Sequence, residues 1–327
     1  MATALTPSTS RPDRPLPAPS PEGLALRRAR PRYGERVIES LLLVAALGSI
    51  ATTVGILVAL ADGTRQFFAQ VSPVDFLTGT TWTPLFANGS FGVLPILWGT
   101  LVITLIAVAL AIPVGLGAAI YLSEYASPRS RAVFKPVLEV LAGVPTVVYG
   151  FFAISFVTPS VLVPVYELLG GDPPGVFNAL SAGLVMGVLI IPIVASLSED
   201  ALSSVPQAMR DGALALGATR ARVARSVVLP AALSGVVASF VLALSRAIGE
   251  TMIVLVAAGA LPQITTDVSQ PMQTMTAFIA QAALGDQPTG SLGYFSLFAV
   301  GAVLFVLTLV INGVSIRLVR RFREVYE

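Results

Sequence analysis

The stretch SLSEDALSSVPQAMRDGALALGATRARVARSVVLPAALSG, from Ser196 to Gly235, decides how this chain folds, because it is a polar interruption between two long apolar runs. Its Ala- and Leu-rich part, Gln207 to Leu216, favours a helix. Pro206 stands at the helix start, where a missing N–H costs nothing, and Gly217 follows its end, where a left-handed residue is favoured. A second short helix is predicted from about Thr219 to Val228. The stretch therefore predicts a hairpin of two short helices joined by a tight turn at the cytoplasmic surface, which either contacts lipid headgroups or docks on another protein.

The apolar runs on both sides of this hairpin belong to a chain built mainly of such runs. Hydrophobic residues make up 55% and charged residues 12% of the sequence, and the mean hydropathy is +0.83. A soluble domain carries about 25% charged residues, and a run of roughly 20 apolar residues can cross a bilayer as a helix. We expect an all-α integral membrane protein with six transmembrane helices, at about residues 37–60, 93–122, 137–158, 178–198, 229–260 and 293–316.

Two glycines in the fourth predicted span, Gly183 and Gly187, form a small-xxx-small pair. Such a pair lets two membrane helices approach closely. Packing within one bundle accounts for it, and a specific dimer contact is the alternative.

The basic residues predict the orientation of the spans. Seven Arg precede the first span, and three, four and four basic residues follow the second, fourth and sixth spans, which places 18 of the 20 Lys and Arg on one side. Because positive charge stays inside, we expect a multi-pass protein of the cell (inner) membrane with both termini in the cytoplasm.

Two domains are predicted along the chain. Residues 1–34 are rich in Pro and Arg and cannot bury enough apolar surface to fold, so they indicate a disordered cytoplasmic tail. Residues 35–327 form the six-helix domain, with the cytoplasmic hairpin at about 199–228.

Several kinds of chemistry are excluded by the composition. The chain has no Cys and no His, which removes thiolate nucleophiles, imidazole bases and the usual zinc sites. Its only Lys is Lys135, which lies outside any P-loop, so nucleotide hydrolysis needs another chain. We expect no enzymatic activity and no cofactor bound by this chain.

The hairpin resembles the "EAA" motif of ABC importer permeases, which reads Glu-Ala-Ala, three residues, Gly, nine residues, Ile, one residue, Leu-Pro. The spacing is intact here, with Asp in place of Glu, Gly in place of the first Ala and Val in place of Ile. The matching residues are Asp211, Gly212, Ala213, Gly217, Val227, Leu229 and Pro230. In that family the hairpin docks into a cleft on the ATPase subunit, so the resemblance implies that these residues couple transport to ATP hydrolysis and that the fold is a type I ABC importer permease.

The resemblance extends over most of the chain from about residue 35 and is to phosphate importer permeases. The segments that carry it are FGVLPILWGTL (91–101), IPVGLGAAIYLSEYA (112–126), LEVLAGVPTVVYGFF (138–152), IPIVASLSEDAL (191–202) and LSRAIGETMIV (244–254). FLTGTTW at 76–82 resembles the PstC rather than the PstA partner. The implied partners are a PstA-like second permease, a dimeric PstB-like ATPase that uses ATP and Mg, a PstS-like extracytoplasmic binding protein and membrane lipid, and not nucleic acid.

Arg246 and Glu250 are the only charges predicted deep within a span. Their i, i+4 spacing puts them on one face of a helix, and a charge at mid-bilayer is costly and usually functional. One interpretation is that Arg246 meets an anionic substrate and Glu250 holds or releases it. The other is a fixed ion pair that orients the fifth span.

The residues alone leave the substrate open, because one Arg suits any oxyanion. Phosphate is implied by the resemblance, and molybdate or sulfate is the alternative within the same class. A gradient-driven transporter is a third possibility, but it would need no coupling hairpin.

Overall fold

A computed structural model describes residues 33–84, 86, 89–285 and 288–321. Helices provide the regular structure of these residues, apart from one antiparallel bridge between Trp82 and Phe91. The chain divides into two compact units after Ile56, which lies within the first helix. Residues 1–32 of the predicted tail lie outside the described residues, and Tyr33 and Gly34 already belong to that helix.

The first helix, α1, spans Tyr33–Phe68 and runs further than the sequence predicted. Asp62 and Arg65, expected in an outer loop, lie in its last turns and form an exposed pair with 3.7 Å between Oδ1 and Nη2. The helix continues because Phe67 is completely buried. Its ring packs edge-on against Phe76 of the short helix α2, Pro73–Thr78, and against Phe91.

Two spans, α3 (Leu94–Ile120) and α7 (Ala179–Ser203), form the centre of the second unit. The predicted glycine pair faces α3: a Cβ added at Gly183 would lie 2.7 Å from the Ile106 side chain, and one at Gly187 would lie 2.9 Å from the Ala107 carbonyl oxygen. The pair therefore serves packing inside the bundle, and α3 occupies the face that a dimer contact would need.

The third predicted span, 137–158, was placed wrongly. Residues 137–143 belong to α4, Pro128–Gly143, in which no residue is buried. Val144 is extended, because a residue before proline is pushed out of the helical region. The span follows this break at Thr146–Leu168 and comprises α5 (Thr146–Phe152), a π-helical segment (Ala153–Leu162) and α6 (Val163–Leu168).

The fifth predicted span, 229–260, is broken in two places. The hairpin contains α8 (Gln207–Ala215) and α9 (Arg220–Val223), and a π-helical segment (Ala224–Val228) and α10 (Leu229–Ala231) complete its second arm. The chain then bends by 74° into α11, Leu233–Ile248. A second break separates α11 from α12, Met252–Ala257.

The remaining helices are α13 (Met275–Leu284) and α14 (Leu292–Arg321). Among the described residues, five helices are long and apolar enough to cross a membrane, and the bent pair ending in α11 makes a sixth if it counts as one span. The all-α fold with six candidate spans is therefore confirmed. The end of the bundle that carries α8 and α9 is called the hairpin end below.

Candidate translocation site and coupling hairpin

The break after α11 positions the carboxylate of Glu250. The helix ends at Ile248, and Glu250 lies in the connection to α12. Its Oε1 accepts hydrogen bonds from the backbone N–H groups of Met252, at 3.1 Å, and Ile253, at 3.5 Å. Glu250 thus caps the start of α12, where free N–H groups need an acceptor.

Arg246 reaches this carboxylate from the last turn of α11. Its Nη1 lies 3.3 Å from Oε2 of Glu250, and the side chains are 43% and 3% exposed, respectively. The predicted pair therefore forms, but the prediction that both residues share one helix face was wrong, because the helix ends between them. The exposed guanidinium keeps donors free for an anion, while the buried carboxylate is held by the backbone.

Buried threonines link α3 and α13 to the backbone of Glu250. The Thr276 hydroxyl donates to the backbone oxygen of Glu250 at 2.7 Å. The Thr100 hydroxyl accepts from the Met275 N–H at 3.0 Å, and the Thr274 hydroxyl caps α13. Sequence reasoning missed these residues, although the run Gln273–Thr276 is a polar interruption that could have indicated them.

The hairpin has the predicted form. Gly217 follows α8 with φ +83°, the left-handed conformation expected at this position. Thr219 begins the second arm, and its hydroxyl accepts the Arg222 N–H at 3.4 Å. Both helices and the turn are therefore confirmed.

The seven residues of the hairpin motif divide into two groups. Ala213, Val227 and Leu229 are partly buried and pack on a cluster that includes Val205 and Val228. The exposed members are Asp211, Gly212, Gly217 and Pro230. Sequence reasoning missed two further exposed apolar side chains of the hairpin, Leu214 at 43% and Leu216 at 91%.

Two further carboxylates, both largely buried, lie at the hairpin end, near the ends of spans and not deep within one. Glu199, in the last turns of α7, is paired with Lys135 of α4 at 2.9 Å. This hydrogen bond is the largest cause of a raised pKa of Lys135, and the hydrogen bond to Asp200 is the second largest. Both favour the charged form of Lys135. The second carboxylate is that of Glu124, which lies in a single π-helical turn (Tyr121–Tyr125) that extends α3. Glu124 pairs with Arg210 of α8 at 3.0 Å.

A bundle of candidate membrane helices with an exposed helical hairpin is the arrangement expected of a transport permease. Residues 111–324 match the family described as binding-protein-dependent transport system inner membrane component, and the chain belongs to that family. It is an ABC importer permease subunit with the type I architecture that the hairpin motif predicted.

Individual relatives cover most of the chain. The probable ABC transporter permease YqgH of Bacillus subtilis is 32% identical over 84% of this chain and 86% of its own length. The phosphate transport system permease PstC of Xylella fastidiosa (strain Temecula1) is 31% identical over 90% and 92%, and PstC 1 of Mycobacterium tuberculosis is 35% identical over 77% and 83%. The resemblance to PstC is therefore confirmed.

Solved structures share the fold at low identity. A chain of a bacterial ABC transporter that imports alginate is 18% identical, with a TM-score of 0.62, over 90% of this chain and all of that one. A chain of the MetNI methionine transporter is 20% identical, with a TM-score of 0.54, over 71% and 96%.

Proposed function

We propose that this chain is the PstC-like permease subunit of an ABC importer that carries inorganic phosphate into the cytoplasm. The observation that carries the proposal is the half-exposed Arg246 beside a backbone-held Glu250, in a chain similar to PstC proteins over most of its length. A guanidinium presents paired donors that match two oxygens of a phosphate. Molybdate and sulfate have similar oxygens, so the similarity to PstC supports phosphate among them.

The partners follow from this function. ATP and Mg are used by a separate dimeric PstB-like ATPase, a PstA-like permease completes the pathway, and a PstS-like protein delivers the anion. This chain itself binds no cofactor. The exposed hairpin supports the ATPase contact, since a gradient-driven transporter would not need it.

The decisive experiment is reconstitution of all four components in proteoliposomes. We expect ATP-dependent uptake of radiolabelled phosphate that excess sulfate or molybdate does not inhibit. Inhibition by either competitor, with its own uptake, would identify that anion as the substrate. Uptake without ATP would instead support a gradient-driven transporter.

The proposed orientation places both termini and the hairpin in the cytoplasm. Because the chain has no Cys, single cysteines report their side cleanly. We expect Thr78→Cys and Thr289→Cys, both exposed, to react with an impermeant maleimide in intact cells, and Ala221→Cys in the hairpin to react only after permeabilisation. The reverse labelling pattern would contradict the orientation.

Leu216 tests the hairpin as the ATPase contact. Its side chain is 91% exposed at the end of α8, within the hairpin that we propose docks on the ATPase. We expect Leu216→Asp to leave membrane insertion intact and to lower co-purification of the ATPase by about tenfold, since burying an unpaired carboxylate is costly. The matched control is Leu284→Asp at the end of α13, where Leu284 is 82% exposed. Equal recovery of the ATPase with both variants would place the contact elsewhere.

A further inference from the structure

The buried pair between Glu124 and Arg210 is not part of the hairpin motif and lies away from the Arg246–Glu250 pair. We infer that this pair is the rigid joint through which movement of the hairpin reaches the spans α3 and α7. Both are then positioning residues for coupling, which act through the helices they connect. The inference rests on the proposed function, because it assumes that an ATPase moves the hairpin.

Arg210 uses its guanidinium to fasten α8 to the ends of two spans. Nε and Nη2 donate to Oε1 of Glu124 at 3.2 and 3.0 Å. Nη2 also donates to the Leu202 oxygen at 2.8 Å, and Nη1 donates to the Val205 oxygen. The carbonyls belong to the end of α7 and the turn that follows it, and Glu124 belongs to the π-helical turn of α3. One side chain therefore joins three elements.

The burial of this joint distinguishes it from the other ion pairs at the hairpin end. The side chains of Arg210 and Glu124 are 12% and 9% exposed, whereas those of Lys135 and Asp200 are 36% and 58% exposed. The pair is largely buried, and its two hydrogen bonds are charge-assisted, so its geometry is well defined. No residue of α8 is fully buried, so apolar packing alone holds this helix weakly.

The helices beyond the joint lead to the candidate translocation site. α3 packs closely on α7, since a Cβ added at Gly115 would lie 2.7 Å from the Val194 side chain. This contact braces α3 beside Pro113, where one backbone hydrogen bond is missing. At its other end, α3 holds α13 through Thr100 and the Met275 N–H, and α13 holds the Glu250 backbone through Thr276. A continuous set of packed elements therefore connects the hairpin to the pair.

Continuity does not by itself establish coupling, so the test measures coupling directly. The complete four-component transporter is prepared with Arg210→Gln, Glu124→Gln, the double variant and Arg210→Lys. The matched control is Arg129→Gln, which removes the same charge from an exposed α4 residue for which the described part of the chain provides no ion pair. Hydrogen–deuterium exchange of residues 121–125 and 207–215 is measured first, because it requires no transported substrate. Uptake per ATP hydrolysed is measured second.

We expect the Arg210→Gln and Glu124→Gln variants to assemble, to exchange about tenfold faster in both segments, and to lose about tenfold in uptake per ATP while hydrolysis continues. The double variant should be no worse than either single variant, because the two residues act as one unit. Arg210→Lys keeps the charge but cannot reach all three acceptors at once, so it should assemble with an uptake per ATP between those of wild type and Arg210→Gln. Arg129→Gln should match wild type.

Three results would overturn the inference. The first is unchanged hydrogen–deuterium exchange in both segments, and the second is a loss of uptake in the double variant that equals the product of the two single losses. The third is wild-type uptake per ATP in Arg210→Lys when the Gln variants fail to assemble. Failure of the proposed function has a different signature. A wild-type transporter that carries another oxyanion would contradict the phosphate proposal. The ratio of anion uptake to ATP hydrolysis would then be measured with that oxyanion.

Discussion

We expect Arg246→Gln to reduce phosphate uptake by about 100-fold or more while the transporter still assembles. A charge-assisted hydrogen bond is worth about 1.5–3 kcal/mol, and the substitution also leaves the buried Glu250 without its cation, which adds to the loss. Arg246→Lys should recover little uptake, because an ammonium cannot present two parallel donors to a phosphate. The measurement is the yield of the assembled complex together with phosphate uptake in proteoliposomes.

The control for this substitution is Arg65→Gln. Arg65 is 83% exposed and forms only a loose pair with Asp62, at 3.7 Å. Exposed pairs contribute about 0–1 kcal/mol, so uptake should match wild type. An assembled Arg246→Gln transporter that carries phosphate as fast as Arg65→Gln would exclude Arg246 from the anion path.

A test of the Glu250 charge must preserve the hydrogen bonds that Glu250 accepts at the start of α12. Exchanging the two charges would put an Arg at position 250, where it cannot accept the Met252 N–H, so a charge swap does not isolate the ion pair. Glu250→Gln keeps an acceptor oxygen for the backbone N–H groups, removes the charge and replaces the oxygen that faces Arg246 with an NH2 donor. We expect this variant to assemble with an altered uptake rate. Glu250→Ala should also lower the yield of the complex, because a lost cap costs about 1 kcal/mol.

Gly217→Val is expected to insert normally but to lose the ATPase from the purified complex. Gly217 has φ +83°, and a Cβ there would meet open space, so the strain comes from the backbone alone. The left-handed conformation costs an ordinary residue about 1–2 kcal/mol, and a β-branched residue pays more. Gly217→Asn should retain most of the ATPase, because Asn adopts this conformation readily.

A second glycine five residues earlier provides a matched control. Gly212 lies within α8, and an added Cβ would also meet no neighbour within 4 Å. Its backbone is helical, so Gly212→Ala should stabilise the helix by about 1 kcal/mol. We expect this variant to retain the ATPase and its stimulation. Wild-type ATPase recovery and uptake in Gly217→Val would show that the turn does not contribute to coupling.

The hairpin was predicted almost completely from the sequence, whereas the interior of the spans was not. Gly217 and Thr219 act on their own neighbours, so turn chemistry is visible in a single stretch. The breaks at Val144–Pro145 and Gly249–Thr251 were missed, because each interrupts a long apolar run for only two or three residues while the backbone changes direction. A proline alone does not predict such a break, since α7 continues through Pro192.

The sequence by itself determined that the chain spans a membrane several times and carries a helical hairpin, because hydropathy, capping and the conformational freedom of glycine are properties of neighbouring residues. Only the tertiary structure decided which charges meet. Arg210 and Glu124 are 86 residues apart in sequence, and Lys135 and Glu199 are 64 apart. Each pair joins a carboxylate near the end of a span to a cation within a neighbouring helix, α8 or α4, and Glu250 becomes a cap only because the α11 helix stops at Ile248. Each of these charged residues needs a partner, because burying an unpaired charge is costly. The packing of α3, α7 and α8 decides which partner is within reach.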